Sequence, residues 1–148
     1  MFLPLGDTPN PRGIPWVTYG LIAANVVVYL VVSLPLSLTR PDPNDPALLA
    51  YVRLLLDTLP GLSPAELVQQ ISAYDLFVLN HGFRPVAPAP DDLLVSMFLH
   101  AGFMHLAGNM LFLWIYGDNV AHRLGPGRFL LAYLVTGVGA TLFHAVFD

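Results

Sequence analysis

Residues 93–117 read LLVSMFLHAGFMHLAGNMLFLWIYG and contain no Asp, Glu, Lys or Arg. Two further stretches, residues 13–39 and 129–147, also lack those four residue types. Each stretch is long enough to be a membrane span, since crossing about 30 Å of hydrocarbon takes about 20 helical residues. The sequence therefore predicts an all-α, polytopic membrane helical bundle. The predicted spans cover residues 14–38, 93–116 and 128–147.

The composition points to the same class of protein. Of the 148 residues, 55% are apolar and 11% are charged, whereas soluble domains carry about 25% charged residues. The net charge is −4 and there is no basic run, so the chain lacks the electrostatic footprint of a nucleic-acid-binding protein. The absence of Cys excludes disulfides and metal centres ligated by Cys.

Charges between the spans predict the orientation of the chain. Residues 118–128 hold Arg123 and Arg128 against one Asp, whereas residues 40–92 hold three Arg against seven acidic residues. Because cytoplasmic loops carry the excess of Lys and Arg, we expect a multi-pass protein of the cell inner membrane with a cytoplasmic N-terminus and an external first loop. A signal peptide is the competing interpretation of the first stretch, but its apolar run exceeds the ~7–15 residues of such a peptide.

The first loop, residues 39–92, is predicted to be helical and membrane-associated. Ala47–Leu59 is almost wholly apolar, and Ser63-Pro64-Ala65-Glu66 has the pattern of a helix N-cap with Pro at the first helical position. Apolar residues then recur at helical spacing as far as Val78, which predicts a second helix. The pair lies either on the bilayer surface or in a small packed external domain. Prolines at 85, 88 and 90 are expected to keep the chain extended before the second span.

Three polar side chains interrupt the second span. His105 and Asn109 are four residues apart, so they share one face of a helix, and His100 lies further round the helix. Polar groups within a span usually face the bundle interior, a partner or water. Two stacked donors, with Gly102 and Gly108 thinning the same helix, favour a polar cavity over simple hydrogen bonds between helices. A metal site built from His100, His105 and His144 is disfavoured because the spans contain no carboxylate, and we expect no cofactor.

The same stretch carries a family resemblance. Residues 96–110 read SMFLHAGFMHLAGNM, and Tyr116-Gly117-Asp118-Asn119-Val120 and Arg123-Leu124-Gly125 follow. This spacing, H-x4-H-x3-N, then an aromatic-Gly turn, then R-L-G, closely resembles the second-span signature of the rhomboid intramembrane serine proteases. Weaker similarity extends to both neighbouring spans, so residues 1–148 resemble three helices of a six-span rhomboid core. The chain departs from the common family pattern at Asp92, where many members have Arg, and at Ala121, where many have an acid.

The resemblance implies a serine-type endopeptidase that cleaves transmembrane substrates within the membrane. In that family a serine in a G-x-S-G motif on the fourth span is activated by a histidine on the sixth. Residues at the positions of His105 and Asn109 assist the oxyanion hole, while His100, Gly102 and Gly108 take supporting positions.

None of the five serines in the sequence lies in G-x-S-G, and the sequence ends at Asp148, where the resemblance places the fourth span. We therefore expect an inactive fragment without the Ser-His dyad. Its partners are expected to be the lipid bilayer, transmembrane substrates and the C-terminal half of its own domain. The alternatives are an inactive rhomboid-like protein that binds transmembrane clients and, less favoured, an unrelated three-span protein.

Overall fold

The computed structural model describes residues 13–58, 61, 63–84 and 89–147, and every regular element within these ranges is helical. The predicted all-α class is therefore confirmed. In chain order the elements are α1 (Trp16–Val28), a π-helical turn (Tyr29–Ser33), α2 (Leu34–Ser37), α3 (Pro46–Thr58), α4 (Pro64–Gln70), α5 (Ala73–His81), α6 (Pro90–Ser96), α7 (Phe103–Leu124) and α8 (Pro126–Phe147).

The first predicted span is a continuous helical rod, Trp16–Ser37, built from α1, the π-helical turn and α2. Pro35 lies in the first turn of α2 and does not end the rod. Proline in a regular helix clashes with the carbonyl four residues earlier. Here the preceding backbone is already widened into a π turn, in which the Leu34 N–H reaches back to the Tyr29 carbonyl. Such a turn accommodates the missing hydrogen bond of proline.

The structure differs from the prediction at the second span. The single helix expected over residues 93–116 is divided into α6 and α7 by a turn at residues 97–102. Gly102, the N-cap of α7, has an extended backbone (φ −178°, ψ 170°), so the helix starts anew at Phe103. His100 consequently lies in the turn, and its predicted place on the helix of His105 is wrong.

The last helix, α8, agrees closely with the third predicted span. It follows α7 after a sharp turn at Gly125, whose positive φ of 80° is readily adopted by glycine. Among the described residues, two helices are long and apolar enough to cross a membrane, Trp16–Ser37 and Pro126–Phe143. Helix α7 has the length but is not one of them, because His105, Asn109, Asp118 and Asn119 lower its hydropathy. A span at 93–116 stays a prediction.

The first loop folds into three helices, α3, α4 and α5, around a common apolar core. The predicted capping box at Ser63 is confirmed, since the Ser63 hydroxyl accepts from the Glu66 N–H and the Glu66 carboxylate accepts from the Ser63 N–H. The single helix predicted as far as Val78 is wrong, because the backbone becomes extended at Ile71 and Ser72 caps α5. The structure favours the packed-domain alternative.

The segment before the second span is only partly covered by the structure. Pro85 and Pro88, which were expected to hold the chain extended, lie outside the described residues. Pro90 is the first residue of α6, a position at which proline is well tolerated because its missing N–H would have no helical partner. The chain is therefore already helical at Pro90.

Helices α1, α7 and α8 pack against one another by close approach. A Cβ atom at Gly117 of α7 would lie 2.9 Å from Thr18 Cγ2 on α1, so only glycine permits this approach. Between α1 and α8, Asn25 Nδ2 donates to the Tyr133 hydroxyl at 3.2 Å. The first-loop helices are joined to the segment that follows α2 by Arg40 Nη1, which donates to the Ile71 carbonyl at 3.1 Å.

Candidate functional site

The turn between α6 and α7 places His100 at the centre of the candidate site. Its side chain is 3% exposed, and its Nδ1 lies 3.1 Å from the Phe98 carbonyl oxygen. Because a carbonyl only accepts, Nδ1 carries the proton in this contact, and Nε2 of the neutral ring is left as an acceptor. The His100 ring lies against the His105 ring, with centroids 5.2 Å apart and planes tilted by 56°.

His105 and Asn109 lie one turn apart near the start of α7, as predicted. Both side chains are exposed, so the described part of the chain does not enclose them in the bundle interior. His105 lines a cleft, whereas Asn109 is not among the residues that line it. The structure therefore brings His100 and His105 together and leaves Asn109 on the open face of α7. A polar cavity shared by His105 and Asn109 stays a prediction.

The cleft of about 690 Å³ opens between the first-loop helices and one end of α7 and α8. Its charged lining residues are Asp75 and Arg84, and Arg84 Nε is shielded from solvent with no hydrogen-bond partner in the described structure. Tyr51 and Tyr74 also line it. Burial raises the pKa of both hydroxyls, and the Asp75 carboxylate raises that of Tyr51 further. Both tyrosines are therefore neutral donors at neutral pH.

The sequence did not single out these loop residues for the site, because their proximity to His105 depends on how α5 packs. One serine, Ser96, lines the cleft with His105. Its hydroxyl donates to the Leu93 carbonyl of its own helix at 3.1 Å. Ser96 is thus held by a helical backbone contact, which gives no sign of an activated nucleophile.

The two glycines assigned supporting positions make no close contacts. A Cβ atom at Gly102 or Gly108 would have no neighbour within 4 Å in the described structure. Gly102 shapes the site through its extended backbone at the start of α7 rather than by letting another helix approach. Nothing in the described structure explains why residue 108 is glycine.

No group of three or more His, Cys, Asp or Glu among the described residues is placed to hold a metal ion. The side chain of His144, the third histidine considered for such a site, lies outside them. The donors that the structure does bring to the site are imidazole, phenol and guanidinium groups. Their chemistry is hydrogen bonding and charge stabilisation.

The described residues form a helical membrane bundle with two apolar helices long enough to cross a bilayer and two imidazole rings in contact near one end of α7. Residues 91–148 match the family model described as "Rhomboid domain". The chain is 46% identical over 56 residues to "Rhomboid protease GluP" of Bacillus subtilis, covering 38% of this chain and 11% of that protein. It is 28% identical over 149 residues to "RHOMBOID-like protein 6, mitochondrial" of Arabidopsis thaliana, covering 96% of this chain and 46% of that protein.

A third relative, "Rhomboid-like protein 11, chloroplastic" of Arabidopsis thaliana, is 35% identical over 82 residues, which cover 55% of this chain and 28% of that protein. No solved structure matches the chain. Residues 91–148 are thus similar to rhomboid domains, and the chain spans less than half the length of these relatives. The matched region, 91–148, contains His100, His105 and Asn109.

Proposed function

We propose that this chain contributes the oxyanion-stabilising part of a rhomboid serine endopeptidase that cleaves transmembrane proteins within the membrane. The observation that carries the proposal is the placement of His105 and Asn109. Their imidazole and amide groups lie one turn apart on α7, in the region that matches the rhomboid domain. Both side chains are exposed, so both are available to a substrate.

The chemistry needs donors at this position. When a nucleophile attacks a peptide carbonyl, negative charge develops on the carbonyl oxygen, and fixed N–H donors stabilise it. The His105 ring and the Asn109 amide are such donors, and neither needs to change its protonation state to act. His100 lies behind His105 and keeps its own Nδ1–H on the Phe98 carbonyl. We assign His100 a positioning role for the His105 ring.

The nucleophile and base of the proposed reaction come from outside these 148 residues. The sequence contains no Gly-x-Ser-Gly, and Ser96, the serine in the cleft, donates to its own helix. Acyl transfer by serine requires a base within hydrogen-bond reach of the hydroxyl. We therefore expect the 148-residue chain alone to show no turnover.

The proposed setting is the cell inner membrane, with a cytoplasmic N-terminus and the first loop on the opposite side. The support is the arginine distribution between the spans together with the apolar rods Trp16–Ser37 and Pro126–Phe143. In this orientation the cleft beside His105, which first-loop residues line, opens toward the external surface. A transmembrane substrate would reach it from the bilayer.

The test uses the longest open reading frame that contains these residues, reconstituted in lipid vesicles with a membrane-inserted reporter substrate. A fluorophosphonate probe is expected to label one serine. His105→Ala is expected to lower kcat by about 10²–10³-fold, the usual cost of removing one oxyanion donor. Met104→Ala is the matched control, because Met104 precedes His105 and its side chain is 79% exposed; it is expected to retain full activity.

Two outcomes would contradict the proposal. One is the absence of a labelled serine, and the other is unchanged cleavage in His105→Ala. Retention of the transmembrane reporter without cleavage would indicate the alternative function, a rhomboid-like protein that binds transmembrane clients. The 148-residue chain is assayed in parallel, and turnover above that of its own His105→Ala variant would show that it needs no further residues.

A further inference from the structure

The side chain of Met97 lies across Gly137 on α8. A Cβ atom built at Gly137 would overlap Met97 Cε and would lie 2.9 Å from Met97 Sδ and 3.1 Å from Met97 Cγ. These three neighbours all belong to one residue, so the missing side chain of Gly137 forms a notch that holds the thioether. Cε and Sδ are the end of a flexible side chain, whereas Cγ lies nearer the backbone, so an added methyl group at Gly137 would turn the thioether out of the notch and press on Cγ.

Met97 is also the first residue of the turn that carries His100. The turn is held to α6 by the Phe98 N–H, which donates to the Val95 carbonyl at 3.0 Å. The next carbonyl along the chain from Met97, that of Phe98, accepts from His100 Nδ1. Met97 thus directly precedes the residue whose carbonyl orients the His100 ring.

The same part of α8 borders the site. Ala140 and Thr141 follow Gly137 by three and four residues, which places them on its face of the helix, and both line the cleft with His105. Gly139, by contrast, would give a Cβ atom no neighbour within 4 Å in the described structure. The notch at Gly137 is thus a specific feature of the face that meets the site.

We propose that the Met97–Gly137 contact is a positioning device that fastens the turn at residues 97–102 to α8 and so fixes the His100 ring against His105. Met97 and Gly137 are positioning residues, since neither is assigned contact with a substrate. The ring geometry can be measured without any assumption about catalysis. Only the consequence for cleavage rests on the proposed function.

The experiment is NMR of the 148-residue chain with labelled histidine rings in lipid nanodiscs. The wild type is expected to show a nuclear Overhauser contact between the His100 and His105 rings and a protected His100 Nδ1–H. Gly137→Ala displaces the thioether and Met97→Ala removes it without adding an atom to α8. Both variants are expected to lose the inter-ring contact and the Nδ1–H protection, while circular dichroism shows unchanged helix content.

Matched controls are available for both changes. Gly139→Ala adds a methyl group to the same helix two residues away, and Met104→Ala removes an exposed methionine next to His105. Both controls are expected to keep the ring contact. Unchanged ring signals in Met97→Ala, or equal loss in Gly139→Ala, would overturn the proposal.

A second readout separates this inference from the proposed function. In the reconstituted protein that tests the proposed function, loss of positioning is expected to lower kcat with little change in KM, because misplaced groups fail in the transition state rather than in binding. If His105→Ala leaves cleavage unchanged, the oxyanion role of His105 is wrong. The NMR experiment still tests separately whether Met97 and Gly137 position the His100 ring.

Discussion

The first-loop helices and the long helices are built on opposite principles. In α3–α5 the buried side chains are apolar, and Leu48, Val52, Leu67, Ile71 and Leu76 form one core. In the α1–α2 rod the three most deeply buried side chains are polar, Thr18, Asn25 and Ser33, whereas large apolar residues such as Trp16 and Val31 are exposed. The loop is thus arranged like a small water-soluble domain, and the rod has the reverse arrangement.

The difference shows which force holds each region. Burial of apolar surface stabilises the loop only where water is the alternative. Between helices in lipid that driving force is absent, so helices associate through close backbone approach and hydrogen bonds. Gly117 against Thr18 and Asn25 against Tyr133 provide these two contacts. The comparison predicts that substitutions in the two regions affect stability independently.

The largest expected effect is in the loop core. Leu48 is fully buried (0% exposed), so Leu48→Ala removes transfer energy and leaves a cavity, at a cost of about 2–5 kcal/mol. We expect faster amide hydrogen exchange throughout α3–α5 and unchanged exchange in α1, α7 and α8. Leu49→Ala, at a neighbouring residue that is 47% exposed, is the control. Equal acceleration in the long helices would show that the first loop and the long helices unfold as one unit, contrary to the prediction of independent effects.

The second largest effect is expected where two long helices approach each other closely. In Gly117→Ala the new methyl group would meet Thr18 Cγ2 at 2.9 Å, and Thr18 is a fully buried, β-branched residue with little room to move. Overpacking of this kind costs about 1–3 kcal/mol. Unfolding in mixed detergent micelles should report a loss for Gly117→Ala and none for Gly108→Ala, which adds a methyl group to the same helix without a close neighbour.

Only some features of the fold could be predicted from the sequence. Uncharged stretches and the Ser63 cap were predictable, because hydropathy and capping are local properties of the chain. The break at 97–102 was not, since glycine is common within membrane helices and Gly102 gives no sign that its backbone is extended. The end of α4 was missed because Ile71 continues the apolar pattern, while the second capping box at Ser72 interrupts the helix.

The candidate site, too, could be predicted from the sequence only in part. The spacing of His105 and Asn109 placed them correctly on one helical face, because that face depends only on helical geometry. The loop lining of the cleft brings Tyr74 and His105 to one cavity although they are 31 positions apart. The Met97–Gly137 contact joins residues 40 positions apart, and no local pattern encodes either. The polar stripe of Thr18, Asn25 and Ser33 did have a signal, since spacings of seven and eight residues return to one helical face.

A smaller effect is expected for the hydrogen bond between α1 and α8. Asn25 is fully buried, and its Nδ2 donates to the Leu21 carbonyl at 2.8 Å as well as to the Tyr133 hydroxyl. A double-mutant cycle with Asn25→Leu and Tyr133→Phe isolates the link between the helices. Such bonds in membrane proteins contribute about 0.6 kcal/mol on average and up to about 1.7. A coupling of zero would show that α8 is held by packing alone.

The smallest effect lies at the capping box of α4, and it depends on pH. The Ser63 N–H and hydroxyl donate to the Glu66 carboxylate at 2.9 and 2.7 Å, and these bonds hold the Glu66 pKa below its ordinary value. A carboxyl whose pKa is depressed in the folded state stabilises that state above its unfolded pKa, and the contribution is lost as pH falls through the folded pKa. We therefore expect exchange of the first-turn amides of α4 to accelerate, relative to their intrinsic rates, as the solution is acidified below the ordinary Glu range.

Glu66→Gln keeps an acceptor without the titrating charge and is expected to abolish this pH dependence, while the amides of α1, α7 and α8 remain unaffected. A pH response of equal size in the long helices would mean that the loop is not an independent unit. The capping box is solvent-exposed and involves only neighbouring residues. A pH dependence of amide exchange that is confined to α4 would therefore be sensitive evidence that the loop is stabilised independently of the long helices.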